Sequence, residues 1–313
     1  MTTVEKIKRT KKDFLTLLDY SKDEINYLLR LAGDIKQNNA EYSEILKNRN
    51  IALLFDKPST RTRLSFEVGI NQLGGNCLVL DSKTMQLGRG ETYADTAKIF
   101  NGYLDGVVIR TFRQTDIETV ASNCDIPVIN ALTDSYHPCQ ILSDLFTLYE
   151  RDLLCKKDLK FVYLGDSNNV LNSLLVGFTK LGINITVGCP KEYEPDKKLM
   201  EILGDLSLKS KNRIIIENNP LAAVKDADVV YTDVWLSMGD EDSTQKISDL
   251  KPFQVNKKLL SEAKKDVLIM HCLPAHRELE ITSEVLDSKN SIVWAQAENR
   301  LYAQKALLVL LYS

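Results

Sequence analysis

The chain has only three histidines in 313 residues, and they fall in two short stretches, HPCQ at His137 and HCLPAHR at His271 and His276. Its six cysteines form no C-x-x-C pair, which excludes a disulfide-dense scaffold and a zinc ribbon and predicts reduced, cytoplasmic usage. The opening stretch MTTVEKIKRTKKDF has no apolar core, so no secretory leader is expected. The longest apolar run, ALLVLLY at 306–312, is too short to span a bilayer. Positive charge is not in excess: 40 Lys and Arg stand against 43 Asp and Glu, a formal net charge of -3. That balance argues against nucleic acid or an anionic membrane as the main partner, so any anion site must be local. The glycine-rich phosphate loops are missing as well. GDSNN at Gly165 is not a G-x-G-x-x-G fingerprint, and no G-x-x-x-x-G-K-[ST] run occurs.

What is present is a rhythm. Short apolar runs recur every 20 to 30 residues: IALLF (51–55), CLVLD (77–81), GVVIR (106–110) and PVIN (127–130). They continue with KFVYLG (160–165), NITVG (184–188), RIIIE (213–217), DVVYTD (228–233) and VLIMHC (267–272). Amphipathic stretches lie between them, which is the pattern of βα units. Runs apolar throughout suit parallel strands covered on both faces. The spacing predicts an α/β protein of two parallel-sheet domains, residues 1–150 and 151–297, joined near 150–158. The apolar final helix, 298–313, is expected to pack back on the first domain. Near the start, Ser21 with Glu24 three residues on predicts a capping box, and Ile25, Leu28, Leu29 and Ala32 predict one buried stripe.

In an open parallel sheet, ligands bind beyond the carboxyl ends of the strands, and the unusual polar residues lie there. Ser59-Thr60-Arg61-Thr62-Arg63 follows the first strand. As a helix start it offers backbone N–H groups, hydroxyls and a guanidinium fork to a phosphate. A well-capped helix with solvated arginines is the other reading of these residues alone. Arg63 has Glu67 at i+4, which predicts an ion pair and leaves Arg61 as the phosphate ligand. Arg110 ends the third strand. His137 and Gln140, three apart, share one helix face, where one donates to a carbonyl oxygen and the other binds an NH2 group, unless His137 is a structural helix-start residue. His271, Cys272 and His276 do not match common zinc spacings, and adjacent strand residues face opposite sides, so no metal is expected.

Taken together, STRTR, HPCQ, DVWLSMG and HCLPAHR resemble the aspartate/ornithine carbamoyltransferase family, from DFLTLLDYS to AENRLYAQKALL. The last two motifs resemble its ornithine branch. The resemblance implies transfer of a carbamoyl group from carbamoyl phosphate to the ornithine δ-amine with no cofactor and no metal, and the charge balance leaves out nucleic acid and membrane as partners. It also implies two doubly wound domains and a homotrimer or a multiple of trimers. The lack of long insertions favours arginine biosynthesis over the catabolic direction, and a relative acting on putrescine, N-acetylornithine or aspartate is the other substrate reading. Residue by residue it implies that Ser59, Thr60, Arg61 and Thr62 hold the phosphate, with Gln86 reaching a neighbouring subunit's site and Arg300 also contacting carbamoyl phosphate. Arg110 and His137 would polarise the carbonyl, and Gln140 and the Leu273 carbonyl would bind its NH2. Asn169, Asp233, Ser237 and Met238 would bind ornithine, and Cys272 would sit beside the attacking amine. A cis Leu273–Pro274 bond and a polar loop after Ser237 that closes over ornithine are further expectations of the resemblance.

Overall fold

A computed structural model describes residues 13–236 and 244–313. Among them, nine strands form two parallel sheets, one in each of two compact units. The first unit contains the described residues up to Phe146 together with Glu298–Ser313, and the second is Thr147–Ala297.

The first unit carries strands β1 (Asn50–Phe55), β2 (Asn76–Leu80), β3 (Gly106–Arg110) and β4 (Val128–Leu132). Their order is β2-β1-β3-β4, every pairing parallel. The helices are α1 (Lys22–Gln37), α2 (Arg61–Gln72), α3 (Tyr93–Tyr103), α4 (Gln114–Asn123) and α5 (Pro138–Tyr149). The α1 capping box forms: the Ser21 hydroxyl accepts from Glu24 N and the Glu24 carboxylate accepts from Ser21 N. Such a cap contributes about 1 kcal/mol, and Ile25, Leu28, Leu29 and Ala32 are buried as expected. Ala52, Leu54, Val107, Ile109 and Val128 join Ile117 and Val120 of α4 in a core on one face of the sheet.

The second unit carries β5 (Phe161–Leu164), β6 (Ile185–Gly188), β7 (Ile214–Glu217), β8 (Val229–Thr232) and β9 (Leu268–His271), in the order β7-β6-β5-β8-β9, again all parallel. Its helices are α6 (Asn169–Leu181), α7 (Lys197–Ser210), α8 (Pro220–Val224), α9 (Thr244–Leu250), α10 (Lys257–Leu260) and α11 (Ser283–Leu286), and α12 (Val293–Tyr312) closes the chain. The second part of α12 belongs to the first unit. There the Tyr312 hydroxyl donates to the Asp105 carbonyl at 2.8 Å, over Gly106, where a Cβ would lie 1.8 Å from the Tyr312 oxygen.

The expectation that every strand is covered on both faces needs correction. It holds for β1, β3, β4, β5, β6, β8 and β9, but not for β2 and β7, each at one edge of its sheet. Leu78 and Val79 of β2 are each 42% exposed and Ile215 of β7 is 48% exposed. An apolar run reports β-preference; it does not report whether a second layer covers it.

Strand order also fixes where a ligand belongs. In the first sheet the chain leaves β1 toward β2 on one side, and β3 takes the other, so the switch point lies between β1 and β3. In the second it lies between β5 and β8. Crevices open at the carboxyl ends of such strand pairs.

Candidate active site

In the first unit, the loop after β1 leads into α2. Ser59 Oγ accepts from Thr62 N at 3.3 Å, so the hydroxyl that closes the first turn comes from Ser59. Thr60 is exposed, Arg61 is half-buried and Thr62 is 2% exposed. Arg63 turns outward to Glu67, Nε to Oε2 at 3.5 Å, as its i+4 spacing predicts. Arg110 ends β3 and is buried, and His137, also buried, stands immediately before α5.

Helix α12 brings the element that ties these together. Arg300, 2% exposed, donates from Nη2 to Thr62 Oγ1 at 3.0 Å and from Nη1 to Gln140 Oε1 at 2.5 Å. Gln140 passes the chain on, its Nε2 donating to Asp144 Oδ1 at 2.8 Å. Burial, reinforced by the positive charges of Arg300, Arg110 and Arg61, holds His137 well below the usual histidine range. The imidazole is therefore neutral at physiological pH and offers one N–H and one lone pair. Gln86 is exposed at the start of a 3-10 turn, Gln86–Arg89, beyond the edge strand β2.

In the second unit, Asp233 follows β8 and is 5% exposed. Its carboxylate accepts from Cys272 Sγ at 2.7 Å, from Asn168 Nδ2 at 2.7 Å and from Val234 N at 2.8 Å. Asn168 was not singled out by the sequence. Its Oδ1 also caps α6 by accepting from Val170 N and Leu171 N, so one amide fixes a helix start and a carboxylate together. The cap was legible in NNVL. The partner 65 residues away was not. Asn169 is the first residue of α6, half-buried beside this group. Gly165, with φ +131°, turns the chain after β5 so closely under Trp235 that a Cβ would lie 3.3 Å from the indole nitrogen. Ser237 and Met238 lie outside the described residues.

The HCLP stretch behaves differently from its expectation in one respect. Cys272 lies past the end of β9, so strand alternation no longer governs it. Asp233, His271 and Cys272 bring one ligand atom each within 4.8 Å of one another, whereas the His276 side chain is exposed and its backbone N donates to Glu280. His271 nevertheless has no lone pair left for an ion. The Leu273 N–H can only donate, at 2.8 Å to Nδ1, so Nε2 carries the proton and donates to Glu280 Oε1 at 3.1 Å. The Leu273–Pro274 bond is cis and Leu273 has φ +57°.

A cationic donor cluster in one unit and a buried carboxylate in the other suit an anionic and an ammonium-bearing ligand. Residues 12–150 match the carbamoyl-P binding domain model of aspartate/ornithine carbamoyltransferase, and residues 157–311 match its Asp/Orn binding domain model. The chain belongs to the aspartate/ornithine carbamoyltransferase family. Within that family it is 49% identical to the ornithine carbamoyltransferase of Bacillus subtilis over 98% of this chain and 96% of that one. Among solved structures it is similar to ornithine carbamoyltransferase from Pyrococcus furiosus, with TM-score 0.91, 46% identity and 96% of each chain covered. It is also similar to the anabolic ornithine carbamoyltransferase of Campylobacter jejuni, with TM-score 0.91, 39% identity and coverage of 96% of this chain and 99% of that one.

Proposed function

We propose that this chain is an ornithine carbamoyltransferase, moving the carbamoyl group of carbamoyl phosphate to the δ-amine of L-ornithine to give L-citrulline and phosphate. The observation that carries the reading is the buried Arg300–Thr62–Gln140 cluster beside a neutral His137. It pairs a phosphate-binding helix start with groups suited to a carbamoyl carbonyl and its NH2.

In this reading Ser59, Thr60, Arg61, Thr62 and Arg300 hold the phosphate. Arg110 and the N–H of neutral His137 donate to the carbonyl oxygen. The Gln140 and Leu273 carbonyl oxygens accept from the NH2. Asp233 takes the α-ammonium of ornithine, Asn169 takes its carboxylate, and Ser237 and Met238 complete that half. Cys272 sits beside the δ-amine without a covalent role. The neutral amine attacks the carbamoyl carbon and the carbonyl electron pair moves onto oxygen. The pair then returns, the bond to the phosphate oxygen breaks, and the amine proton leaves with the phosphate. Nearby arginines favour the neutral amine needed for attack. Positioning supplies about 7–11 kcal/mol in favourable cases, and one oxyanion donor about 3–4 kcal/mol. No cofactor and no metal enter these steps.

We further propose a homotrimer that works in arginine biosynthesis in the cytoplasm. Leu64 and Val68, one turn apart on α2, and Leu78 and Val79 of the edge strand β2 are exposed apolar residues that a second copy would cover, and Gln86 follows β2 after one 3-10 turn. All six cysteines are free thiols, which suits a reducing compartment. Sedimentation tests the assembly, and a sigmoidal carbamoyl phosphate saturation curve would count against the biosynthetic direction.

The decisive assay offers purified protein carbamoyl phosphate with ornithine, putrescine, N-acetylornithine and aspartate in turn. Citrulline from ornithine is expected. Carbamoylation of another amine with no citrulline would overturn the substrate assignment.

A further inference from the structure

Gln304 lies one turn beyond Arg300 on α12 and is fully buried. Its neighbours dictate how its amide is oriented. Ser65 Oγ gives its single proton to the Arg61 carbonyl at 2.7 Å, with the Thr62 carbonyl at 3.2 Å, so toward Gln304 that hydroxyl can only accept. The Arg300 guanidinium has donors and no acceptor. The Gln304 nitrogen therefore donates to Ser65 Oγ at 2.5 Å, and its oxygen accepts from Arg300 Nη2 at 2.9 Å and Nε at 3.3 Å.

The result is a hydrogen-bond chain with a fixed direction. On one side Gln304 donates to Ser65, which donates to the carbonyl of Arg61 in the first turn of α2. On the other, Arg300 is gripped by Gln304 and reaches Thr62 and Gln140. One amide thus sets both the guanidinium and the first turn of α2.

We propose that Gln304 is a positioning residue for carbamoyl transfer, acting on bound phosphate through Arg300 and through the Ser65–Arg61 relay. This rests on the carbamoyl-transfer reading above. Gln304 touches no substrate. It matters because a guanidinium on a long side chain keeps its remaining N–H aimed in one direction only when its other donors are held.

The test uses purified full-length wild type, Gln304→Met, Ser65→Ala and the double variant. Citrulline formation gives KM for each substrate, and calorimetry gives the affinity for inorganic phosphate. Gln304→Met is expected to weaken phosphate binding and raise KM for carbamoyl phosphate by about tenfold, with KM for ornithine within about twofold of wild type. Ser65→Ala is expected to cost about threefold, and the double variant about tenfold rather than thirtyfold, because the two residues share one chain. A folded Gln304→Met with phosphate affinity within about twofold of wild type overturns the proposal. So do effects that multiply in the double variant, or equal losses for both substrates. If Gln304→Met fails to fold, an unchanged phosphate affinity in Ser65→Ala overturns it. A wild type that binds phosphate yet makes no citrulline sinks the reaction and leaves the relay to be judged by the calorimetry.

Discussion

The two candidate clusters, one in each unit, are electrostatic opposites. Around His137, cationic charges from Arg300, Arg110 and Arg61 act on the imidazole. Around Asp233 a single buried carboxylate collects a thiol, an amide and a backbone N–H. The first half is a surplus of fixed donors and the second is an acceptor steadied by neutral groups. Buried charge persists only where it is compensated or meets a ligand. The sign at each place therefore suits a different ligand charge, an anion such as a phosphate in one and an ammonium in the other.

Substitutions can break that contrast. The largest effect is expected from Arg61→Ala, which removes a guanidinium from the donor half. Turnover per unit carbamoyl phosphate (kcat/KM) should fall by about 100- to 1000-fold, the scale of one lost anion donor, while ornithine dependence stays near wild type. Asp233→Asn should do the reverse. Its new NH2 would oppose the Asn168 NH2, and KM for ornithine should rise by about 100-fold with little change for carbamoyl phosphate. If both variants acted only on carbamoyl phosphate, the two-ligand contrast would be lost.

A smaller effect sharpens the contrast through pH. The folded chain keeps His137 below its ordinary value near 6.5. Below pH 6.5 the unfolded chain binds a proton that the folded chain does not. Stability from this group is therefore complete above pH 6.5 and declines as pH falls toward the folded value. Urea unfolding at pH 7.5 and 5.5 should show wild type losing roughly 1 kcal/mol more than His137→Gln per pH unit below 6.5. Equal losses would mean that the imidazole is not held neutral.

The smallest effect concerns Lys305, buried on α12 with Asn39 and Gln72 amide oxygens as partners. Burial lowers its ammonium to about 8. Between pH 8 and the ordinary lysine value the unfolded chain binds the extra proton, so the native state gains stability as pH rises through that window. Lys305→Met should raise the melting midpoint by a few degrees at pH 7, and this advantage should shrink toward pH 10. A midpoint difference that does not change with pH would refute it.

Local signals in the sequence were reliable. The nine strands, the Ser21–Glu24 box and the Arg63–Glu67 pair all follow from spacings of a few residues, which backbone geometry converts directly into contacts. The cis Leu273–Pro274 bond came from the family resemblance. What stayed hidden was pairing across the chain. Asn168 with Asp233, Glu280 with His271, and Gln304 with Arg300 and Ser65 depend on strand order and on how α12 packs, which periodicity does not report. Edge position was hidden for the same reason: CLVLD and GVVIR read alike, yet β2 is half-exposed and β3 is buried.

The reach of α12 has a consequence for how the protein is made. Thr62 leaves the ribosome 238 residues before Arg300, the side chain that binds it. At about 5–20 residues per second that interval lasts roughly 12 to 48 seconds. During it the nascent chain holds STRTR and HPCQ without the arginine that joins them, so its anion site cannot be complete. The usual order, in which the N-terminal domain folds as a finished unit during synthesis, is therefore unavailable here. A chain truncated before Glu298 would carry nearly every site residue and still lack the one that ties Thr62 to Gln140.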